Sequence, residues 1–273
     1  MAFMLRVRCT CPNAEVMSTI LDALGTMAKI QVGPPGPHKG VITYHFSRPD
    51  PPERPLYVEF TEVYANEESF WAHSLHQEFM EAYMKGFSQE IVKKSEMVTY
   101  GYNVPGGKVK ETCDNFLKCR YPATYSGFVL NPEKWSLDVS EGDGPVMLLF
   151  RVCAKSTRAE EIVRLFSTLS GISNPGVTTS IVAVPEPEAQ PDQVEFIEIC
   201  SSNEKLQLHL TMDTSKAAIS DILQNSDSVS VEAYGTVTPK SEELLRCSGL
   251  SYNVRSTDVG YVLHPEVDRE SKV

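Results

Sequence analysis

The sequence predicts an α+β chain made of two tandem βαββαβ repeats. The first observation is a duplication. Shifted by 136 positions without a gap, Val58, Glu59, Phe60, Glu62, Glu68 and His73 fall on Val194, Glu195, Phe196, Glu198, Glu204 and His209, six identities in 16; unrelated stretches of ordinary composition give roughly one. The second is that the echo continues. Gly127–Glu133 (GFVLNPE) returns as Gly260–Glu266 (GYVLHPE), and Tyr100-Gly101 returns as Tyr234-Gly235. The third is that strand-like and helix-like patterns follow in the same order in both copies. A period this long is a whole small domain rather than a solenoid unit. The repeats run from 1 to 135 and from 145 to 268, with the polar, Gly-containing stretch Ser136–Gly144 as a linker and 269–273 as a flexible tail.

In the first repeat, Leu5–Cys11 alternates around β-formers and reads as a strand. Asn13–Lys29 places Val16, Ile20, Leu24 and Met27 on one stripe, an amphipathic helix. The proline-rich stretch Gln31–Lys39 is a loop, and Val41–Arg48 and Leu56–Tyr64 are strands. Asn66 looks like a helix cap with Glu67 and Glu68 in the first turn. The helix is expected to continue with Phe70, His73, Met80 and Met84 on one side until Gly86 bends or breaks it. Val98–Val104 is the fourth strand. The second repeat gives strand Val146–Cys153, helix Thr157–Leu169, strands Val177–Val184 and Val194–Ser201, helical Asn203–Asn225 interrupted near Thr214, and strand Val229–Val237. Each half adds a short strand, Gly127–Leu130 or Gly260–Leu263. A βαββαβ unit leaves one face of its sheet bare, and that face must be covered. Two such sheets packed face to face close into a barrel, and fusion in one chain raises the effective concentration of the partner half.

The residues Phe60-Thr-Glu62-Val-Tyr64, then Glu67-Glu68-Ser-Phe70 and His73, with Gly40-Val-Ile-Thr-Tyr44 before them, resemble the dimeric α/β-barrel superfamily and its antibiotic-biosynthesis-monooxygenase-like (ABM) domain. The resemblance covers nearly all of the first repeat; in the second, Glu198, Glu204 and His209 carry it. It implies two ferredoxin-like repeats packed sheet to sheet as an intramolecular dimeric α/β barrel. Proteins resembling it include cofactor-independent monooxygenases of quinols and polyketides, haem-degrading enzymes, isomerases and proteins without known chemistry, so fold alone does not choose an activity. The haem-degrading members use an Asn, a Trp and a His. The position nearest their Trp is Tyr64, and Leu5–Cys11 holds no Asn, so no cofactor is expected.

Composition narrows the classes. The chain has 273 residues, 41% hydrophobic and 22% charged, as globular domains do. Its net charge of −11 disfavours nucleic acid and anionic membranes as partners, and no apolar run has the ~18 residues of a membrane span. Seven cysteines without framework spacing, and no Asn-x-Ser/Thr sequon, point to a reducing, cytoplasmic setting.

Candidate chemistry concentrates in the first repeat. In the ABM-like reading, His73 moves a proton on or off a phenolic substrate, which suits an imidazole near neutral pH, and His45 or Glu62 assists. The plainer alternative is a His packed in the core and hydrogen-bonded to Glu62 or to backbone. Tyr44, Tyr64, Phe70, Trp71 and Tyr100 would line the pocket for a small hydrophobic or aromatic ligand; otherwise they are ordinary core aromatics. Glu59 and Glu62 point to opposite faces of their strand, since three residues along reverses the side. His73 and His76 stand three apart on one helix, but no Cys or carboxylate completes a metal set, so no metal is expected. Gly106-Gly107-Lys108 lacks the rest of a phosphate loop and reads as a turn. Two readings follow: a small-molecule enzyme resembling cofactor-independent monooxygenases or related isomerases, on an aromatic or quinol-like substrate, or a non-catalytic ligand-binding or structural protein. The fusion also predicts a monomer at micromolar concentration by light scattering; a tight dimer would mean that the halves pair between chains or that another surface is used.

Overall fold

Strand β1 (Phe3–Cys11) is the spine of the first half. It pairs antiparallel with β3 (Leu56–Tyr64) on one side and β4 (Glu96–Gly101) on the other. The computed structural model describes residues 3–32, 40–47, 56–64, 67–93, 95–101, 118–120, 123–130, 146–171, 177–184, 192–235, 237–255 and 261–263. The expected linker 136–144, the tail 269–273 and the loops 33–39 and 49–55 lie outside the described residues. The chain divides into two units, Met1–Tyr121 with Thr257–Val273, and Pro122–Ser256.

In the first unit the strand order is β12-β2-β3-β1-β4-β5, with β2 at Val41–Ser47, β5 at Lys118–Arg120 and β12 at Tyr261–Leu263. Helix α1 (Ala14–Val32) connects β1 to β2. Helices α2 (Glu67–Ser74), α3 (Gln77–Gly86) and α4 (Gln89–Lys93) connect β3 to β4. The second unit repeats the plan with order β11-β10-β7-β9-β8-β6. Its strands are β6 (Ala123–Leu130), β7 (Val146–Ala154), β8 (Val177–Val184), β9 (Gln193–Cys200), β10 (Ser226–Tyr234) and β11 (Ser251–Arg255). Its helices are α5 (Ala159–Gly171), α6 (Asn203–Thr211), α7 (Asp213–Gln224) and α8 (Pro239–Cys247). The inner four strands of both sheets, β2-β3-β1-β4 and β8-β9-β7-β10, are the βαββαβ ferredoxin-like arrangement.

The extra strands change places. β6, from the end of the first repeat, pairs antiparallel with β8 of the second unit, and β12, from the end of the second, pairs antiparallel with β2 of the first. β2 and β8 would otherwise leave a row of backbone groups unpaired at a sheet edge. α8 and β11 were not anticipated in the sequence. Thr238 caps α8 by accepting from the Ser241 amide, Pro239 opens it, and Asn203 Oδ1 accepts from the Thr238 amide at 3.0 Å and the Ser241 hydroxyl at 2.9 Å.

The helix expected to run on to Gly86 breaks earlier, at Leu75–His76. His76 turns extended (φ −66°, ψ 132°), and its amide bonds back to the His73 carbonyl at 3.2 Å. The second repeat breaks in the same way at Met212 (φ −64°, ψ 135°), whose amide bonds to the His209 carbonyl at 3.2 Å. The break rotates α3, so Met80 and Met84 face solvent and Phe79 and Ala82 are buried. Gly86 ends α3 where α1 passes closely. A Cβ there would lie 2.3 Å from the Ala23 Cβ. Gly86→Ala is therefore expected to lower stability by about 1–3 kcal/mol through overpacking, measured by urea unfolding; no loss would show that the two helices separate at little cost.

Candidate functional site

Between the helices and the sheet of the first unit lies a cavity of about 320 Å³, at the small end of the roughly 300–1,000 Å³ usual for small-molecule sites. Its floor is one face of the sheet. Leu5 and Val7 of β1 stand opposite Glu62 and Phe60 of β3, and Met97 of β4 lies opposite Val7. Phe70 and Trp71 come from α2, Phe79 and Tyr83 from α3, and Phe87 follows α3. Phe79 and Tyr83 are four apart on α3, one turn of the helix, so both reach the cavity once the break has rotated it. Tyr83 and Phe87 stack with centroids 4.7 Å apart, and Phe60 meets Phe87 edge-on at 6.0 Å.

Among the described residues Glu62 is the one carboxylate on this wall, and it is 5% exposed. The Tyr64 phenol, two residues along the same face, donates a hydrogen bond to its Oε2. Tyr64 is fully buried, edge-on to Phe70 at 5.2 Å and tilted against His73 at 5.6 Å. His73, at 0% exposure, sits against Phe79 with centroids 3.9 Å apart. It is not among the described residues lining the cavity; Phe79 stands at that wall beside it. Of the residues singled out from the sequence, Glu62, Phe70 and Trp71 thus meet at the cavity, while Tyr64 and His73 form the layer behind. Tyr44 and His45 lie on β2 and Tyr100 on β4, with side chains outside the described residues. Glu59 points to the other face, where Arg8 Nε binds its Oε1 at 2.5 Å and Arg8 stacks over Tyr57 at 4.5 Å.

Sequence reasoning missed Phe79, Tyr83, Phe87, Cys9 and Ser95. The signal for the α3 residues was present: the interruption expected near Thr214, moved back by 136, falls at Glu78, close to the observed break. Cys9 and Ser95 are buried at the cavity's sheet end, where the Ser95 hydroxyl is 3.3 Å from the Cys9 sulfur and donates to the Ile91 carbonyl at 2.8 Å. Burial pushes the Cys9 thiol up to about 12, against the Ser95 hydrogen bond that pulls it down. Burial also raises the Tyr83 phenol, with smaller contributions from Cys9 and Glu62. Both groups therefore stay neutral over the physiological range.

The corresponding place in the second unit is organised differently. His209 Nε2 lies 3.1 Å from Glu198 Oε1, its Nδ1 lies 3.4 Å from the Ser215 hydroxyl, and the Cys200 thiol approaches Glu198 at 3.6 Å. All four are buried. Burial, reinforced by Glu198, raises the Cys200 thiol well above its ordinary range.

No family profile and no curated protein sequence matches this chain. Solved structures do. One is a protein from Lactobacillus acidophilus NCFM provisionally assigned as a monooxygenase (TM-score 0.53, 15% identity, covering 84% of this chain and 91% of that one). Another, with the same provisional assignment, is from Fusobacterium nucleatum (TM-score 0.53, 8% identity, covering 84% of this chain and 89% of that one). Each unit is about half the chain, so matches of that span run through both. The fold is therefore a ferredoxin-like α+β architecture shared with these two structures, as the sequence reading expected. No described helix is long and apolar enough to cross a membrane.

The Cys9 thiol gives a pH prediction. Its folded-state value is raised, so the folded protein holds this proton more tightly than the unfolded chain does. The resulting stability is complete below about pH 9 and is lost as pH rises toward about 12. The unfolding free energy of the native protein should fall across that window more steeply than that of Cys9→Ala, by up to about 1.4 kcal/mol per pH unit. Equal slopes in denaturant titrations of the two proteins would show that Cys9 does not titrate there.

Proposed function

We propose that the first unit oxidises a small aromatic, quinol-like molecule bound in its cavity, with Glu62 as the group that takes the phenolic proton. The observation that carries this reading is the carboxylate of Glu62 on a wall otherwise lined mainly by apolar and aromatic side chains. Such walls suit an aromatic ring, and a carboxylate in poorly solvated surroundings is a stronger base than one in water. Removing the proton makes the bound ring electron-rich, which is what a reaction with dioxygen without metal or flavin requires; the surrounding side chains keep water away. The likeness to proteins provisionally assigned as monooxygenases supports the same chemistry.

In this proposal Tyr64 holds the carboxylate in place through its phenol. His73, wedged between Tyr64 and Phe79, is a positioning residue. Tyr44, opposite Glu62 in the register of β2 and β3, keeps its place beside the ligand on the sequence reading, whereas His45 stands opposite Thr61 and Tyr100 opposite Met4, out of phase with the cavity face, and take no part in the proposal. The protein works as a monomer in the cytoplasm.

Oxygen uptake with a panel of hydroquinones and anthrone-type phenols tests the proposal. Glu62→Gln should lower kcat by about 10²–10⁴-fold while the melting temperature changes little, because Gln can still accept from Tyr64. Undiminished turnover in Glu62→Gln would remove Glu62 from the chemistry. The position of His73 behind the wall favours a second reading, a binding protein without turnover; ligand binding with no oxygen uptake in any member of the panel would establish it.

A further inference from the structure

We propose that the ligand is amphipathic: its ring sits at Glu62, and an uncharged apolar chain leaves the cavity between Leu75 and Met80 and lies along α3 over Met84. The inference rests on the cavity reading above. Leu75 and Met80 line the cavity and are also 71% and 37% exposed; Met84, one turn beyond Met80, is 67% exposed. Three large apolar side chains thus continue the cavity's apolar wall out onto the surface, where an isolated exposed apolar residue would call for no explanation.

The chain supplies its own control. The helix break occurs at equivalent positions in both repeats, so a shift of 136 aligns α3 with α7 residue by residue. Leu75, Met80 and Met84 then correspond to Thr211, Lys216 and Ser220, all exposed. The frame accepts polar residues at these places, and the first repeat nevertheless presents apolar ones beside its cavity. The second repeat's exposed apolar residue here, Leu208, corresponds to Ala72. Exposed Glu78 and Glu81 on α3 oppose an anionic lipid surface as the occupant.

The test is a series of 4-alkylphenols from phenol to the octyl member, below their micellar concentrations, with binding measured by equilibrium dialysis. On the native protein the association constant should rise about twofold per methylene, half the logarithmic gain of full burial, because one side of the chain stays in water. In Leu75→Thr/Met80→Lys/Met84→Ser the rise per methylene should vanish, whatever the affinity for phenol itself. Met84→Ser alone, outside the cavity, should flatten the series only among the longer members. Phenol binding with no chain-length dependence on the native protein, or an unchanged slope in the triple variant, would overturn the amphipathic ligand and leave the cavity reading standing. No binding of any member would overturn both. Sedimentation of the same proteins gives the remaining arm: a native dimer that the triple substitution dissociates would assign the patch to a second copy and overturn the proposal.

Discussion

The first unit's site depends on the break in the helix after β3. Without it, α2 would run straight into α3, and the expected stripe of Phe70, His73, Met80 and Met84 would face the sheet. The extended His76 interrupts the ladder of backbone bonds, and the next helix starts in a new phase. Phe79 and Tyr83 then turn inward and Met80 and Met84 outward. No proline or glycine forces the break, since residues 74–77 are Ser-Leu-His-Gln. The His76 amide instead bonds to the His73 carbonyl, three residues back, as happens where helices tighten before they end. The same dihedral pair and the same bond at Met212 show that the break belongs to the duplicated frame rather than to either sequence.

Within one frame the two repeats have been filled differently. Where Phe79 lies against His73, Ser215 bonds to His209. Where the Tyr64 phenol reaches Glu62, the Cys200 thiol approaches Glu198. Where Tyr83 and Phe70 border the cavity, Ile219 and Leu206 join the packed core with Phe166 and Phe196. The second repeat's buried carboxylate thus has an imidazole and a thiol beside it. Buried polar groups are tolerated when they are hydrogen-bonded, and these partners make Glu198 part of the buried interior. The first repeat keeps larger aromatics around an open space and brings its carboxylate to the edge of that space.

Much of the frame was legible in the sequence. The duplication, the strand order and the opposite orientations of Glu59 and Glu62 follow from period-two alternation and from one repeated segment. Glu62, Phe70 and Trp71 were found because strand parity and the start of a helix are local signals. The inward set on α3 was not, because hydrophobic periodicity was carried across a break that neither Pro nor Gly marks. Phe79 and Tyr83 are themselves helically spaced, but Met80 and Met84 fit the stripe begun by Phe70 and His73 equally well, and nothing local distinguishes the two phases. The exchange of β6 and β12 between the repeats was equally hidden, since a strand's sequence carries its alternation but not the identity of its neighbour.

Aromatic side chains at helix and strand spacing usually mean core, and this chain shows what separates core from site. A well-packed interior leaves few voids larger than a water molecule, because every void forgoes dispersion contacts. The second repeat shows that this backbone frame can be filled with Ile, Leu and Phe around a paired histidine. The first repeat places Tyr83 and Phe79 where the second has Ile and Ser, and Tyr64 where it has Cys, and about 320 Å³ stays open beside these larger side chains. Larger side chains beside an open space are not what selection for packing alone would produce. The first repeat's interior is better understood as a wall shaped around something else.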